Sequence, residues 1–320
     1  MPRDFEGPTD EFRGRGQSMR QNIVSWRNPV SAKLIATLLL VVAASAVAAP
    51  KAGKPKAPGQ YATVNGLELY YELHGSGQPL ILLHGGLGSS GMFGENIRAL
   101  ARHRRVIAVD LQGHGRTADI DRPLSVELMA DDIAALIKHL KLGRVDLMGY
   151  SLGGGVALQT AIRHPAVVNK VVAISAAVRR SAYHPEILAQ QAQVDESALE
   201  MMKQTPMYQS YIEIAPRPQD FGRLLGKIGE AMKQDFDFSN QVAQLQMPVL
   251  VMAADSDLFP PSHAVEVFGL LGGGTRDGGW DGSGRPNSAL AILPGLTHYD
   301  IFADPRIVTT ALPFLDEAAR

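Results

Sequence analysis

Eight short apolar runs, separated by stretches of helical periodicity, constrain this chain more than any other feature. The first two, Tyr61 to Val64 and Leu67 to Tyr71, flank Asn65-Gly66, a dipeptide suited to a tight hairpin. Pro79 to Leu83 and Arg105 to Val109 are continuously apolar rather than alternating, the pattern of strands covered on both faces. Arg144 to Met148, Lys170 to Ile174, Pro248 to Met252 and Ala289 to Leu293 complete the set. Between them, Leu128, Ile133, Leu136 and Leu140 recur at helical spacing behind Ser125, which is placed to cap a helix running to about Leu140. Strand and helix in alternation predict an α/β fold with a mostly parallel central sheet and helices on both faces.

The alternation stops between about residues 178 and 246, where helix formers, Met, Tyr and Phe occur without a strand candidate. This segment reads as a helical cap inserted over one edge of the sheet. Its Met201, Met202, Met207, Tyr208, Tyr211, Met232, Phe236 and Phe238 either line an apolar pocket or pack the cap against the sheet, and packing is the expectation for most of them. Residues 272–288 form a glycine-rich loop before the last strand. Feeding the N-terminal end of that strand, the loop should lie away from any site at the C-terminal ends.

A chain of 320 residues that is 45% hydrophobic supports one large core, here over residues 61–320. The formal charge of −1 divides into +5 for residues 1–60 and −6 for the remainder, so the folded part offers no basic surface for nucleic acid. With no cysteine, disulfides and thiolate chemistry are excluded. Neither a His-Glu-x-x-His motif nor clustered acids point to a metal, and no cofactor is expected.

Ahead of the core, Leu34 to Ala49 is a 16-residue uncharged stretch preceded by Arg20, Arg27 and Lys33 and ending in Ala46-Val47-Ala48. That is the pattern of a cleaved export signal, with cleavage after Ala48. A membrane anchor is the competing reading, for which the stretch is short; a start at Met19, or no export at all, are further alternatives. Residues 1–48 are therefore expected to be a signal region, 49–60 a Pro- and Lys-containing tether, and the location periplasmic or secreted.

Gly149-Tyr150-Ser151-Leu152-Gly153 follows an apolar strand and opens an apolar helix. In that strand–turn–helix setting, G-x-S-x-G presents its serine hydroxyl at the sheet's C-terminal edge, with a helix N-terminus favouring developing negative charge. A hydroxyl becomes a useful nucleophile only when a base takes its proton, and the base needs an orienting acid. Asp255 and Asp257 follow the strand ending at Met252, and His298 follows the strand ending at Leu293. The order serine, acid, histidine is the one such sites use, with the choice of acid open.

Residues 61–320 resemble single-domain enzymes of the α/β-hydrolase fold. The segments that carry the resemblance are L-L-H-G-G (82–86), D-L-Q-G-H-G-R-T (110–117), G-Y-S-L-G-G (149–154), A-D-S-D-L-F-P-P (254–261) and L-P-G-L-T-H (293–298). They are specific for the fold and weakly specific for substrate. The resemblance implies Ala254 in a place the family usually fills with Gly, which puts the acid at Asp257, with Pro261 four residues on, and leaves Asp255 to bond the loop. Of the nine histidines, only His263 and His298 lie beyond Asp257, and His263 falls at a helix start, so His298 is the expected base. The oxyanion donors should be the backbone N–H groups of Leu152 and Gly86. His84, His114 and Arg116 are expected to be structural.

The implied chemistry is hydrolysis of a carboxylic ester or lactone, a small-molecule acyl substrate, through an acyl-enzyme. Perhydrolysis, acyl transfer or carbon–carbon bond hydrolysis with the same triad is the first alternative, and a slow-turnover ligand sensor the second.

Overall fold

Asn65 and Gly66 both take positive φ, 48° and 80°, the backbone of a tight hairpin turn, and the chain reverses there as the dipeptide predicts. The computed structural model describes residues 59–317; the expected signal region, and all of the tether but its last two residues, lie outside them. The strands are β1 (Gln60–Val64), β2 (Leu67–His74), β3 (Pro79–Leu83), β4 (Arg105–Val109), β5 (Val145–Tyr150), β6 (Val168–Ile174), β7 (Val249–Ser256) and β8 (Ala289–Thr297). All eight apolar runs are strands. They form one sheet in the order β1-β2-β4-β3-β5-β6-β7-β8, in which β1 and β2 pair antiparallel, as do β2 and β4, and every other neighbour is parallel.

The continuous runs are explained by burial on both sides of the sheet. Ile81 and Leu83 of β3, with Ile107 and Val109 of β4, belong to one core cluster; Leu80 and Leu82, with Val106 and Ala108, belong to the other. Helices α1 (Glu95–Ala101), α2 (Val126–His139) and α3 (Leu152–Arg163) precede β6. Ser125 caps α2, its hydroxyl accepting from the Leu128 N–H. Ile133 and Leu136 of α2, with Val156 and Ala161 of α3, fill the first cluster, while Ile97 and Leu100 of α1 fill the second.

Between β6 and β7 lie α4 (Pro185–Gln191), α5 (Leu199–Met202), α6 (Pro206–Ile214), α7 (Phe221–Lys233) and α8 (Ser239–Val242), the helical insertion expected there. Of its eight named aromatic and Met residues, all but Met201 pack on the core. Met202, Tyr211 and Phe238 are buried in the first core cluster, Met207, Tyr208, Met232 and Phe236 lie against it, and Tyr208 and Tyr211 set their rings on Phe221. The core-facing side of α7 carries Phe221, Leu224, Leu225 and Ile228, and its opposite side is fastened to the loop after β4: Lys227 and Arg223 reach the Asp119 carboxylate at 2.6 and 2.8 Å. Lys227 also donates to the Ile120 and Arg122 carbonyls at 2.8 and 2.6 Å. After β7 come α9 (Pro261–Leu270), the glycine-rich loop with Trp280 fully exposed, β8, and α10 (Arg306–Asp316), which packs on the second cluster. The sequence reading had not marked α1 or α10.

Candidate active site

Ser151 stands between β5 and α3 with φ 51° and ψ −116°, a strained conformation for a residue with a side chain. Two glycines permit the sharp turn. A methyl group on Gly149 would lie 2.1 Å from the Gly153 carbonyl oxygen, and one on Gly153 would lie 2.4 Å from the Leu83 carbonyl oxygen at the end of β3. Strand, turn and helix are thus pressed together at contact distances that no larger residue allows.

The neighbouring strand ends bring the partners in. β7 and β8 run a few residues past their apolar runs, with an irregular register between Ala254 and Ser256 before Ser256 pairs with Thr297. The extensions mix buried Ala253, Ala254 and Leu296 with exposed Asp255, Ser256, Pro294 and Gly295, which breaks the continuous apolar run that marks each strand in the sequence. Asp257 and His298 follow these strands directly. His298 Nδ1 donates to Asp257 Oδ1 at 2.7 Å, which leaves Nε2 unprotonated to accept from Ser151 Oγ at 3.0 Å. All three predicted residues meet in one hydrogen-bonded chain. Asp255, the alternative acid, does not join it; its carboxylate accepts from the Gly295 and Leu296 N–H groups, at 2.9 and 3.3 Å, and shapes the loop that carries His298.

Asp257 is buried and accepts four hydrogen bonds: His298 and the Leu258 N–H (2.8 Å) on Oδ1, and Ser175 Oγ (2.5 Å) and the Ala254 N–H (3.1 Å) on Oδ2. Burial pushes its pKa up, but the bonds from His298, Ser175 and Leu258 outweigh that and hold it below the ordinary carboxylate value. The acid is therefore ionised at neutral pH. Tyr150, the variable residue of the pentapeptide, donates its buried hydroxyl to the His298 carbonyl at 2.5 Å and lays its ring beside His298 and Phe302. The sequence reading singled out neither Ser175 nor Tyr150 for these contacts, each of which spans 82 or more residues.

The two expected oxyanion donors border the same turn. Leu152 is the first residue of α3, where backbone N–H groups lack helical partners. Gly85 lies against the nucleophile, since a methyl on it would sit 3.4 Å from Ser151 Cβ; Gly86 follows, with open space around its α-carbon. The Gly88 N–H closes that turn onto the Gly85 carbonyl at 3.2 Å, and Met92 Sδ accepts from the Gly85 N–H at 3.4 Å. His84 is structural, as expected: fully buried, it donates from Nδ1 to the Gly85 carbonyl (2.7 Å) and accepts at Nε2 from the Leu111 N–H (3.0 Å). Burial lowers the pKa of His84, and that of His114 to about 3, so both are neutral. Arg116 likewise stays in the scaffold, its guanidinium over the Tyr70 ring. Among the described residues, no group of three or more His, Cys, Asp or Glu side chains is arranged to hold a metal ion.

A sheet of this order, a serine on a strained strand-to-helix turn, and an acid and a histidine on later strand ends are the arrangement of the α/β-hydrolase fold. The family described as alpha/beta hydrolase fold matches residues 78–209, from β3 through the pentapeptide into the insertion. The chain is 37% identical over 113 residues to RutD of Rhizobium rhizogenes, to which carbamate hydrolysis is ascribed. That match takes in 34% of this chain and spans less than half, 43%, of the relative. A longer match, 28% identical over 263 residues, covers 73% of this chain and 90% of a non-heme haloperoxidase from Rhodococcus erythropolis. Among solved structures, a thermophilic esterase from Thermogutta terrifontis superposes with a TM-score of 0.61 at 22% identity, over 83% of this chain and all of the esterase.

Proposed function

We propose that the protein hydrolyses a carboxylic ester or lactone, with Ser151 as nucleophile, His298 as general base and then acid, and Asp257 as the orienting acid. The observation that carries this reading is the unbroken hydrogen-bonded chain from Ser151 Oγ through His298 to Asp257, at 3.0 and 2.7 Å. His298 Nε2 takes the serine proton as Oγ attacks the carbonyl carbon, and the anionic Asp257 stabilises the imidazolium that forms. The oxyanion is held by the N–H groups of Gly86 and Leu152, with the N-terminal end of α3 adding favourable dipole. The imidazolium then protonates the leaving alcohol. Water, activated by the same histidine, releases the acid and restores Ser151.

Peroxide in place of water as the acyl acceptor is the second reading, favoured by the match to a haloperoxidase across 90% of that relative's length. A panel of p-nitrophenyl esters and lactones, assayed with and without hydrogen peroxide, tests both. The first reading expects turnover in buffer alone that Ser151→Ala lowers by roughly 10⁴-fold. Turnover only with peroxide supports the second, and equal turnover by Ser151→Ala refutes both. The uncharged run before residue 50 further supports a location outside the cytoplasm, which fractionation of the expressing cells checks: protein found only in the cytosol removes it.

A further inference from the structure

Ser175 repeats, one strand over, the positive φ of Ser151. Its φ is 51°, as is that of Ser151, and the two turns leave adjacent strands in step. The Ser151 N–H donates to the Ile174 carbonyl, and the Ser175 N–H to the Met252 carbonyl, both at 2.8 Å. A serine at positive φ is strained where a glycine would not be. What the side chain contributes there is one contact: Oγ donates to Asp257 Oδ2 at 2.5 Å, between two buried groups and in the short range of hydrogen bonds to an anion.

The four donors on Asp257 are not equivalent. The Ala254 and Leu258 N–H groups belong to the acid's own turn and move with it, while His298 is the group to be oriented. Ser175, on the end of β6, ties the carboxylate to the rest of the sheet. We propose that Ser175 is a positioning residue for Asp257, fixing the rotation of the carboxylate so that Oδ1 faces His298 and sharing the negative charge that Oδ2 would otherwise bear alone. This rests on the triad reading above and adds a fourth residue to it.

Losing the hydroxyl removes a hydrogen bond that shares the negative charge of Asp257, leaving the carboxylate more proton-avid, and the acid limb of the rate profile moves to higher pH. Of the groups near Asp257, burial raises the hydroxyls of Tyr183 and Tyr299 to about 12 and also raises that of Tyr150. The neighbouring Asp300 accepts from the Thr297 N–H on the loop that bears His298, and Asp255 bonds the same loop.

Ser175→Ala removes only the hydroxyl with the strain of positive φ retained; Ser175→Gly removes the hydroxyl together with its β-carbon and relieves that strain. The pH profiles of kcat and kcat/KM on p-nitrophenyl acetate, together with fluorophosphonate labelling of Ser151, read the effect. Both variants are expected to lose about 5- to 15-fold in kcat, with KM within about twofold and the acid limb raised by about half a pH unit. An unshifted limb with kcat at the wild-type level, whatever the change in Tm, overturns the role of Ser175 while the triad stands. A wild-type enzyme that neither labels at Ser151 nor turns over any ester overturns the triad reading, and this proposal with it.

Discussion

Asp257→Asn separates orientation from charge in a way the hydrogen bonds of the acid make calculable. The carboxylate meets four donors, two on each oxygen. Asparagine offers one carbonyl and one NH₂, so one oxygen position becomes a donor facing donors. With NH₂ in the Oδ1 position it opposes the Leu258 N–H and forces His298 into the wrong tautomer, at a cost in kcat of roughly 10⁴-fold. With NH₂ in the Oδ2 position it opposes the Ala254 N–H, but the Ser175 hydroxyl rotates to accept and His298 keeps its acceptor. Each orientation opposes one N–H and satisfies three partners, but the second gives up the longer bond, from Ala254 at 3.1 Å rather than from Leu258 at 2.8 Å, and leaves the His298 tautomer undisturbed, so it is the one expected. The loss is then that of a charged hydrogen bond, about 1.5–3 kcal/mol, or roughly 10- to 150-fold in kcat. The opposed Ala254 N–H lowers stability by a further ~1–3 kcal/mol. Initial rates on p-nitrophenyl acetate at pH 8 and urea unfolding measure the two effects. Activity within about threefold of wild type would refute Asp257 as the orienting acid. Asp255→Asn, which touches only loop N–H groups, should show that small effect instead.

Tyr150→Phe leaves the buried His298 carbonyl without its donor and should cost ~1–3 kcal/mol, seen as a lower Tm with a several-fold fall in kcat as the histidine loop loosens; an unchanged Tm contradicts the contact. Asp119→Ala removes the carboxylate shared by Lys227 and Arg223. Because Arg223 is partly exposed, the loss should be about 2–3 kcal/mol, less than for a fully buried pair, and limited proteolysis should cut first between residues 185 and 242. The pH dependence of stability has a definite sign. Fully buried His114 has its pKa lowered to about 3, so the unfolded chain binds a proton near pH 6.5 that the folded chain refuses. The contribution of His114 is therefore full above about pH 6.5 and falls by about 1.4 kcal/mol per pH unit below it, near 2 kcal/mol by pH 5, with buried His84 acting in the same direction. A urea midpoint constant from pH 7 to 5 contradicts this.

What the sequence made legible was local. The inner strands were marked by continuous apolar runs, because burial on both faces removes any polar alternation, whereas β1 alternates and was marked by the hairpin turn beside it; Ser151 was marked by the strand and helix on either side. Asp257 was separated from Asp255 by resemblance, and His298 by its place after the last strand. Ser175 carried no mark: a small polar residue after β6 looks like any turn until β7 is set beside it. Tyr150 looked like a filler between two fixed glycine-flanked positions, though its hydroxyl reaches across the sheet to the loop of His298. The fastening of α7 at Asp119 was equally silent, since it joins segments about 100 residues apart.

The claim that Ser151 is an activated nucleophile is tested most directly by mass spectrometry of the protein after brief exposure to a fluorophosphonate. The account predicts one adduct, on the peptide containing Ser151, formed rapidly by the wild type and slowed by orders of magnitude in His298→Ala. An unmodified Ser151, or an adduct formed as fast without His298, would contradict it.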